Sequence, residues 1–332
     1  MKLPMHRLPD CDIVLLVDAE TGTATRNGGF RLDAGGVEAQ VLQALRQLGK
    51  RVVVVPFDTD VRQSLKTLQA LAPRVIFNLT EWIDGDRARD HEITDLLDRH
   101  DFHYTGTAGA GLRLARDKSR AKSAVARAGV AVPREISPQA RGQGRLPHAV
   151  FVKPRHGDGS DAISGAALVH THAALRERVR SLRLRKLGPA LCEEFIEGRD
   201  LFVALLGNRP QVLPPLELVV GRQDNGAPRF ATWLLKHDDA YKRRWRVSYR
   251  VAVLSRAVLA EIRQASRQIF HALKLRDYAR LDFRLTADNR LYFIEANPNP
   301  DLGRHTFGRE RCFAGVEYTA LIARIVRAAQ AR

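Results

Sequence analysis

The chain has 332 residues, enough for about two domains of ordinary size, and its 45% hydrophobic and 27% charged content is that of a soluble globular protein. No run of about 18 apolar residues is present to span a membrane, and the five-residue apolar run before Asp18 is too short for a signal-peptide core. Lys and Arg outnumber Asp and Glu by 54 to 37, a net charge of +17 that attracts anions such as nucleotides, nucleic acid or an acidic carrier.

Arg greatly outnumbers Lys, as a GC-rich genome also produces, so the charge by itself leaves a functional and a compositional origin open. Cys11, Cys192 and Cys312 are far apart and match no metal-ligand spacing, which predicts a reducing compartment and a cytoplasmic protein.

In chain order, DIVLLVD (Asp12–Asp18) has the length and content of a buried strand. From Gly35 to Leu48 the apolar residues Val37, Val41, Leu42, Leu45 and Leu48 follow a helical period that Gly49 ends. RVVVVPF is a β-branched strand, a polar segment follows, and PRVIFNL (Pro73–Leu79) is a third strand. Strand, helix and strand with short connections predict an α/β unit on a parallel sheet. HEITDLLDRHD (His91–Asp101) is a further helix, and FHYTG a short strand closing at Gly106.

A second unit opens near Leu112. ARDKSRAKSAVARAG (Ala115–Gly129) reads as one helix, followed after a Gly/Pro/Gln-rich loop by the strand AVFVKP (Ala149–Pro154). A Gly-rich stretch, the strand AALVH and a basic helix from about Ala173 to Leu187 come next. ALCEEFIEGRDLFVALLGN is strand-like on both sides of Gly198. Helices of roughly Ser255–Leu273 and Gly315–Ala329 flank a hairpin, RLDFRL-TADN-RLYFIEAN.

Four segments could carry chemistry. If Thr286–Asn289 is a four-residue turn, Leu285 pairs with Arg290 and Arg280 lies opposite Glu295. Alternation then puts Arg280, Asp282, Glu295 and Asn297 on one face, and Leu281, Phe283 and Leu285 with Tyr292 and Ile294 on the other. Two carboxylates and an amide oxygen suit Mg²⁺; a solvated polar face is the plainer alternative. KPRHGDGSDAISG (Lys153–Gly165) could cradle phosphate on backbone N–H groups, or be an ordinary Gly-rich turn. CEEFIEGRD (Cys192–Asp200) gathers Glu193, Glu194, Glu197 and Asp200, either to meet a ligand's amino and hydroxyl groups or to bridge neighbouring arginines. The basic segment Trp233–Val251, with Trp245 and Tyr249, is either a nucleic-acid surface or a basic rim over an anionic ligand.

The order of these pieces carries more than each alone. Asp117-Lys118, Val152-Lys153-Pro154, the Gly/Ser loop, Glu193-Glu194-Phe195-Ile196 with Gly198 and Asp200, Lys236, Arg280-Leu-Asp282 and Glu295-Ala-Asn297 run in sequence. The chain thereby resembles the ATP-grasp superfamily, and within it the D-alanine–D-alanine ligase branch of carboxylate–amine ligases, from roughly Val75 to the C-terminus. FNLTE (Phe77–Glu81) and YTGT (Tyr104–Thr107) extend the likeness into the N-terminal part.

That resemblance implies an α/β (α+β) ATP-grasp fold: a Rossmann-like N-terminal lobe (residues 1–111), then a central lobe (112–188) and a C-terminal lobe (189–332) that clamp ATP. It implies that Lys118 and Lys153 contact the phosphates and that the loop Gly157–Ser164, with Gly157, Gly159 and Ser160, closes over them. Glu193 would accept from the adenine amino group, with Glu194, Phe195 and Ile196 along the ring and Asp200 on the ribose. Lys236 would reach the γ-phosphate, Arg280 would stabilise charge at the reacting carboxyl, and Asp282, Glu295 and Asn297 would hold two Mg²⁺ ions, with Mn²⁺ as a substitute.

The implied reaction is ATP-dependent amide formation between a small carboxylate and an amine through an acyl phosphate. A homodimer is expected, with no membrane partner. The chain departs from the branch in having Asp200 where Glu is common, in PNPDLGRHT after Asn297, and in lacking a Ser-x-Glu-x-x-Val-Ser run around Glu38. These departures predict a substrate pair other than two D-alanines, with Arg304 and His305 toward an acceptor carboxylate. The alternatives are an amine linked to a carrier protein or RNA, and a non-catalytic ATP- or nucleic-acid-binding protein. Retention of Lys118, Lys153, Asp282, Glu295 and Asn297 favours an enzyme.

Overall fold

The computed structural model describes residues 11–26, 28–57, 60–139, 142–157, 163–222, 230, 232, 234–235, 238–303, 313 and 315–332. The N-terminal sheet is parallel and three-stranded. Ile13–Asp18 lies in the middle, between Val52–Phe57 and Val75–Asn78, and all six of its residues are buried. A central strand covered on both faces has no polar side to show, which is why it reads as an unbroken apolar run.

The helix Val37–Gln47 stands where its period predicts. The polar segment after Phe57 contains a second crossover helix, Val61–Leu71, capped by Asp60, whose carboxylate accepts from the Gln63 N–H at 3.1 Å. Its thin stripe of Leu65, Leu68 and Leu71 among polar residues hid it. FHYTG is not a strand: it contributes a single parallel bridge, Ile76 to Tyr104. The helix expected over Ala115–Gly129 is two helices, Gly109–Arg116 and Lys118–Arg127, because Asp117 takes extended backbone and caps the second through the Arg120 N–H at 3.1 Å.

A four-stranded antiparallel sheet follows, in the order Glu135–Ile136, Ala190–Glu194, Arg145–Pro154 and Leu168–Thr171, backed by the helix His172–Leu184. Ala190–Glu194 is the last strand of this sheet in chain order, and the next strand, Arg199–Leu206, belongs to another sheet.

The second antiparallel sheet runs Val247–Val251, Leu216–Val220, Arg199–Leu206, Tyr278–Leu285 and Leu291–Asn297, with Gln211–Val212 beside Arg199–Leu206. One face packs Leu201, Val203, Leu281 and Phe283 against the helices Arg256–Ala272 and Lys118–Arg127. The other carries Leu206, Ala204, Phe202 and Tyr278 into a core shared with the N-terminal sheet and the last helix, Tyr318–Gln330. That second face continues along the strand as Arg280, Asp282 and Arg284. It is therefore apolar toward the N-terminal sheet and charged toward the four-stranded one.

Two rings of the basic-aromatic segment are taken up by packing. Trp245 is buried, and Tyr249 tilts against Phe202 with centroids 6.1 Å apart, so neither ring is presented for stacking on bases.

Candidate active site

The Tyr278–Asn297 hairpin differs from its expected register in two ways that cancel. The connection holds five residues, Thr286–Arg290, so Leu285 pairs with Leu291 and Phe283 with Phe293. A bulge between Asp282 and Phe283 then brings Asp282 opposite Glu295 and Arg280 opposite Asn297. The polar set stays on one face, as predicted, but Arg280 does not face Glu295. The buried partners of Leu281, Phe283 and Leu285 are Ala296, Phe293 and Leu291, while Tyr292 and Ile294 are only half-buried. A bulge adds one unpaired residue, and here that residue decides which side the last three residues of the strand present.

On the charged face Arg280 donates to both carboxylate oxygens of Asp282, at 2.8 and 3.3 Å. Arg284, two residues on, gives its Nε–H to the Ile196 carbonyl at 3.0 Å, pairs with Asp200 at 3.0 Å, and lies 5.2 Å over the Phe195 ring. Arg284 was not among the residues singled out from sequence, although the alternation that groups Arg280 with Asp282 also groups Arg284. Its contacts tie the Phe195–Asp200 bend to the hairpin.

The strand Ala190–Glu194 delivers Glu193 to the same place. Its carboxylate is bonded by Lys122 and lies 3.2 Å from the Lys153 ammonium, and the three residues are 3%, 5% and 2% exposed. Burial opposes charge on all three. For Glu193 the two ammonium groups outweigh burial and hold its pKa below the usual carboxylate range. For Lys153 the carboxylates of Glu193 and Glu295 outweigh burial and hold its pKa above the usual lysine value. For Lys122 burial wins, helped by the Lys153 charge, and its pKa falls to about 7.

Lys122 is the other residue the sequence did not single out. It sits one helical turn after Lys118, whose own ammonium bonds the Gly157 carbonyl. Glu194 turns away: its carboxylate accepts from the Arg134 N–H at 2.9 Å.

These side chains enclose a cavity of about 80 Å³ lined by Phe151, Lys153, Glu193–Ile196, Asp200, Phe230, Asp282 and Glu295. Asn297 belongs to a neighbouring cavity of about 450 Å³ between the N-terminal sheet and the hairpin exit, lined also by Asp18, Glu38, Asn78, Glu81 and Asp301. The exit is pinned by the YTGT segment. The Thr107 N–H donates to Asn299 at 3.0 Å, and the Gly106 N–H to the fully buried Asp277 at 2.8 Å. Gly106 has φ +96°, and a Cβ there would come within 2.8 Å of the Asn299 amide oxygen.

Asp282, Glu295 and Asn297 offer two carboxylates and an amide oxygen on one face. Among the described residues no three His, Cys, Asp or Glu side chains converge to hold a metal on their own. That donor set fits Mg²⁺, which completes its shell with water and phosphate oxygens. Of the other expected site residues, Lys236, Gly159, Ser160, Arg304 and His305 lie outside the described residues.

Residues 126–327, more than half of the chain, match the family model for the D-ala D-ala ligase C-terminus. Over 308 residues the chain is 31% identical to "Uncharacterized protein y4sG" of Sinorhizobium fredii, covering 90% of this chain and 88% of that one. It is 28% identical over 323 residues to a D-alanine–D-alanine ligase of Xanthomonas axonopodis pv. citri, covering 93% and 90%. Crystal structures of the Bacillus anthracis D-alanine–D-alanine ligase superpose over 96% of this chain and 97% of theirs, with TM-scores of 0.69, and 0.66 for the complex with ATP. Their identity to this chain is 15%, so this likeness is one of fold. The chain is a member of the D-alanine–D-alanine ligase family, ATP-dependent enzymes that form carbon–nitrogen bonds on the ATP-grasp fold.

Proposed function

We propose that the chain joins an amino acid or other small carboxylate to an amine, with two Mg²⁺ ions held by Asp282, Glu295 and Asn297. Ligases of this family use ATP and Mg²⁺; Mn²⁺ is a substitute in this reading. The observation that carries it is the meeting, at one cavity, of Lys153, Glu193, Phe195, Ile196, Asp200, Asp282 and Glu295, drawn from two sheets. Bound Mg²⁺ supplies charge neutralisation on the phosphates of ATP.

The chain's own residues divide the remaining work. Lys153, kept charged by Glu193 and Glu295, and Lys118 on its helix meet phosphate oxygens. Glu193 faces the adenine amino group and Asp200 the ribose, with Glu194 contributing backbone only. The cavity is smaller than the roughly 300–1,000 Å³ usual for small-molecule sites, so the cleft must widen to admit a nucleotide. Arg280, held in one orientation by Asp282, stabilises charge at the reacting carboxyl.

The substrate carboxylate takes the γ-phosphoryl group to give an acyl phosphate and ADP. The amine then attacks the acyl carbon, and phosphate leaves as the carbon–nitrogen bond forms. The 450 Å³ cavity beside Asn297 suits the two substrates. Relatives named D-alanine–D-alanine ligase make D-alanine the first compound to try; the PNPDLG exit and the setting of Glu38 favour another pair. A cytoplasmic, homodimeric enzyme completes the reading; among the described residues no helix is long and apolar enough to cross a membrane. ADP release measured across pools of amino acids, with D-alanine as the reference, tests it. Substrate-dependent turnover that Glu295→Ala abolishes is expected, and no turnover above the ATP-only rate in any pool would count against it.

A further inference from the structure

The larger cavity has a charge opposite to that of the chain around it. Its charged lining residues are Asp18, Glu38, Glu81, Asp90 and Asp301 against Arg87 and Arg116. Both arginines are already committed: Arg87 pairs with Glu81 at 2.7 Å and Arg116 with Asp90 at 2.8 Å. Asp18, Glu38 and Asp301 meet no cation among the described residues. Asp18 is held by the backbone N–H groups of Glu81 and Trp82, and Asp301 accepts from the Gly303 N–H.

A second feature also points to a ligand. Tyr278 is 3% exposed and stands in the cavity wall, yet its hydroxyl makes no hydrogen bond with any described residue. The hydroxyl is therefore open to a hydrogen bond from whatever enters the cavity. The nearby charges that act on it are carboxylates, Asp277, Glu81 and Asp301. A point cation does not fit, because the carboxylates do not converge at metal-binding range. An extended organic cation does, since separate ammonium groups would meet separate carboxylates.

We infer that one substrate of this ligase is a cationic amine, either a diamine or an amino acid with a basic side chain. Its non-reacting ammonium sits in the field of Asp18, Glu38 and Asp301, and the Tyr278 hydroxyl accepts one of its N–H groups. This rests on the ligase reading above. The amine nitrogen attacks the acyl phosphate, the bond from carbon to the phosphate oxygen breaks with its electron pair leaving on phosphate, and the nitrogen sheds a proton to solvent.

Matched pairs test this with the full chain and Mg-ATP: ornithine against norvaline and lysine against norleucine, each enantiomer, alone and with alanine. ADP release should favour the cationic member by at least about tenfold in kcat/KM, as one charge-assisted contact allows. Asp301→Asn and Glu38→Gln should each shrink that ratio at least about threefold. Equal or better turnover with the neutral members overturns the inference and leaves the ligase reading standing. If no compound supports ADP release while Mg-ATP still raises Tm, the ligase reading falls. In that case thermal shifts with an ATP analogue decide the inference alone: a shift for ornithine over norvaline supports it, and equal shifts overturn it.

Discussion

Glu193 between Lys122 and Lys153 makes the charge balance of the proposed nucleotide site sensitive to single substitutions. Removing the carboxylate leaves two buried ammonium groups facing each other, whereas removing Lys122 leaves one carboxylate and one ammonium. Breaking a buried pair by losing one partner costs about 3–5 kcal/mol. Glu193→Gln should therefore destabilise by that order in urea unfolding, and Lys122→Met by clearly less; the reverse order would mean that Lys122 carries the pair. Arg284 acts differently, by holding the Ile196 carbonyl and Asp200. Arg284→Ala should raise KM for ATP by roughly tenfold, the loss of about one charge-assisted hydrogen bond, with a smaller change in kcat.

Asp18 carries a pH signature of its own. Burial pushes its pKa up to about 6 against the N–H bonds it accepts, with Glu20 and Glu38 adding to the rise. Between about pH 4 and 6 the folded protein holds a proton there that the unfolded chain has lost. Stability should accordingly fall as pH rises through that window and level off above it. Asp18→Asn should flatten the fall, seen as Tm against pH for both proteins; parallel curves would show that Asp18 does not titrate there.

At the scale of elements, the hairpin shows what sequence can and cannot carry. Alternation in RLDFRL is enough to group Arg280 with Asp282 and to oppose them to Leu281 and Phe283. The bulge at Ile294 has no local signal, since Tyr292-Phe293-Ile294 is apolar throughout and either register buries something. Lys122 was hidden for another reason: its partner is 71 residues away, and only the fold brings the first helical turns of Lys118–Arg127 to the strand holding Glu193. The crossover helix Val61–Leu71 was missed because a mostly polar surface left only three leucines to mark its period.

Gly198 joins the two strands that carry Glu193 and Asp200. It has φ +153°, and a Cβ there would come within 2.2 Å of the Leu285 carbonyl oxygen, a rigid backbone neighbour. Gly198→Ala should lower stability by about 2 kcal/mol or more and weaken ATP binding together with it. Unchanged Tm and ATP affinity would show that the bend is not clamped between the sheets.

Over the whole molecule, the three larger sheets share their burdens in a fixed way. The parallel sheet and last helix give the hairpin a core on its Tyr278 end, the four-stranded sheet brings Lys153 and Glu193 to its charged end, and the hairpin lines both cavities. The +17 charge of the chain does not extend into the larger cavity, whose charged lining is mostly acidic. Composition revealed the first of these and hid the second, because the carboxylates of that cavity come from segments as far apart as Asp18 and Asp301.

Trapping of the acyl phosphate reports on the proposed reaction itself. The full chain is incubated with Mg-ATP, an accepted carboxylate and hydroxylamine, which displaces phosphate from an acyl phosphate to give a hydroxamate. Hydroxamate formed in step with ADP, and lost in Glu295→Ala, is the expected result. ADP release with no hydroxamate, or hydroxamate undiminished in Glu295→Ala, would contradict the account.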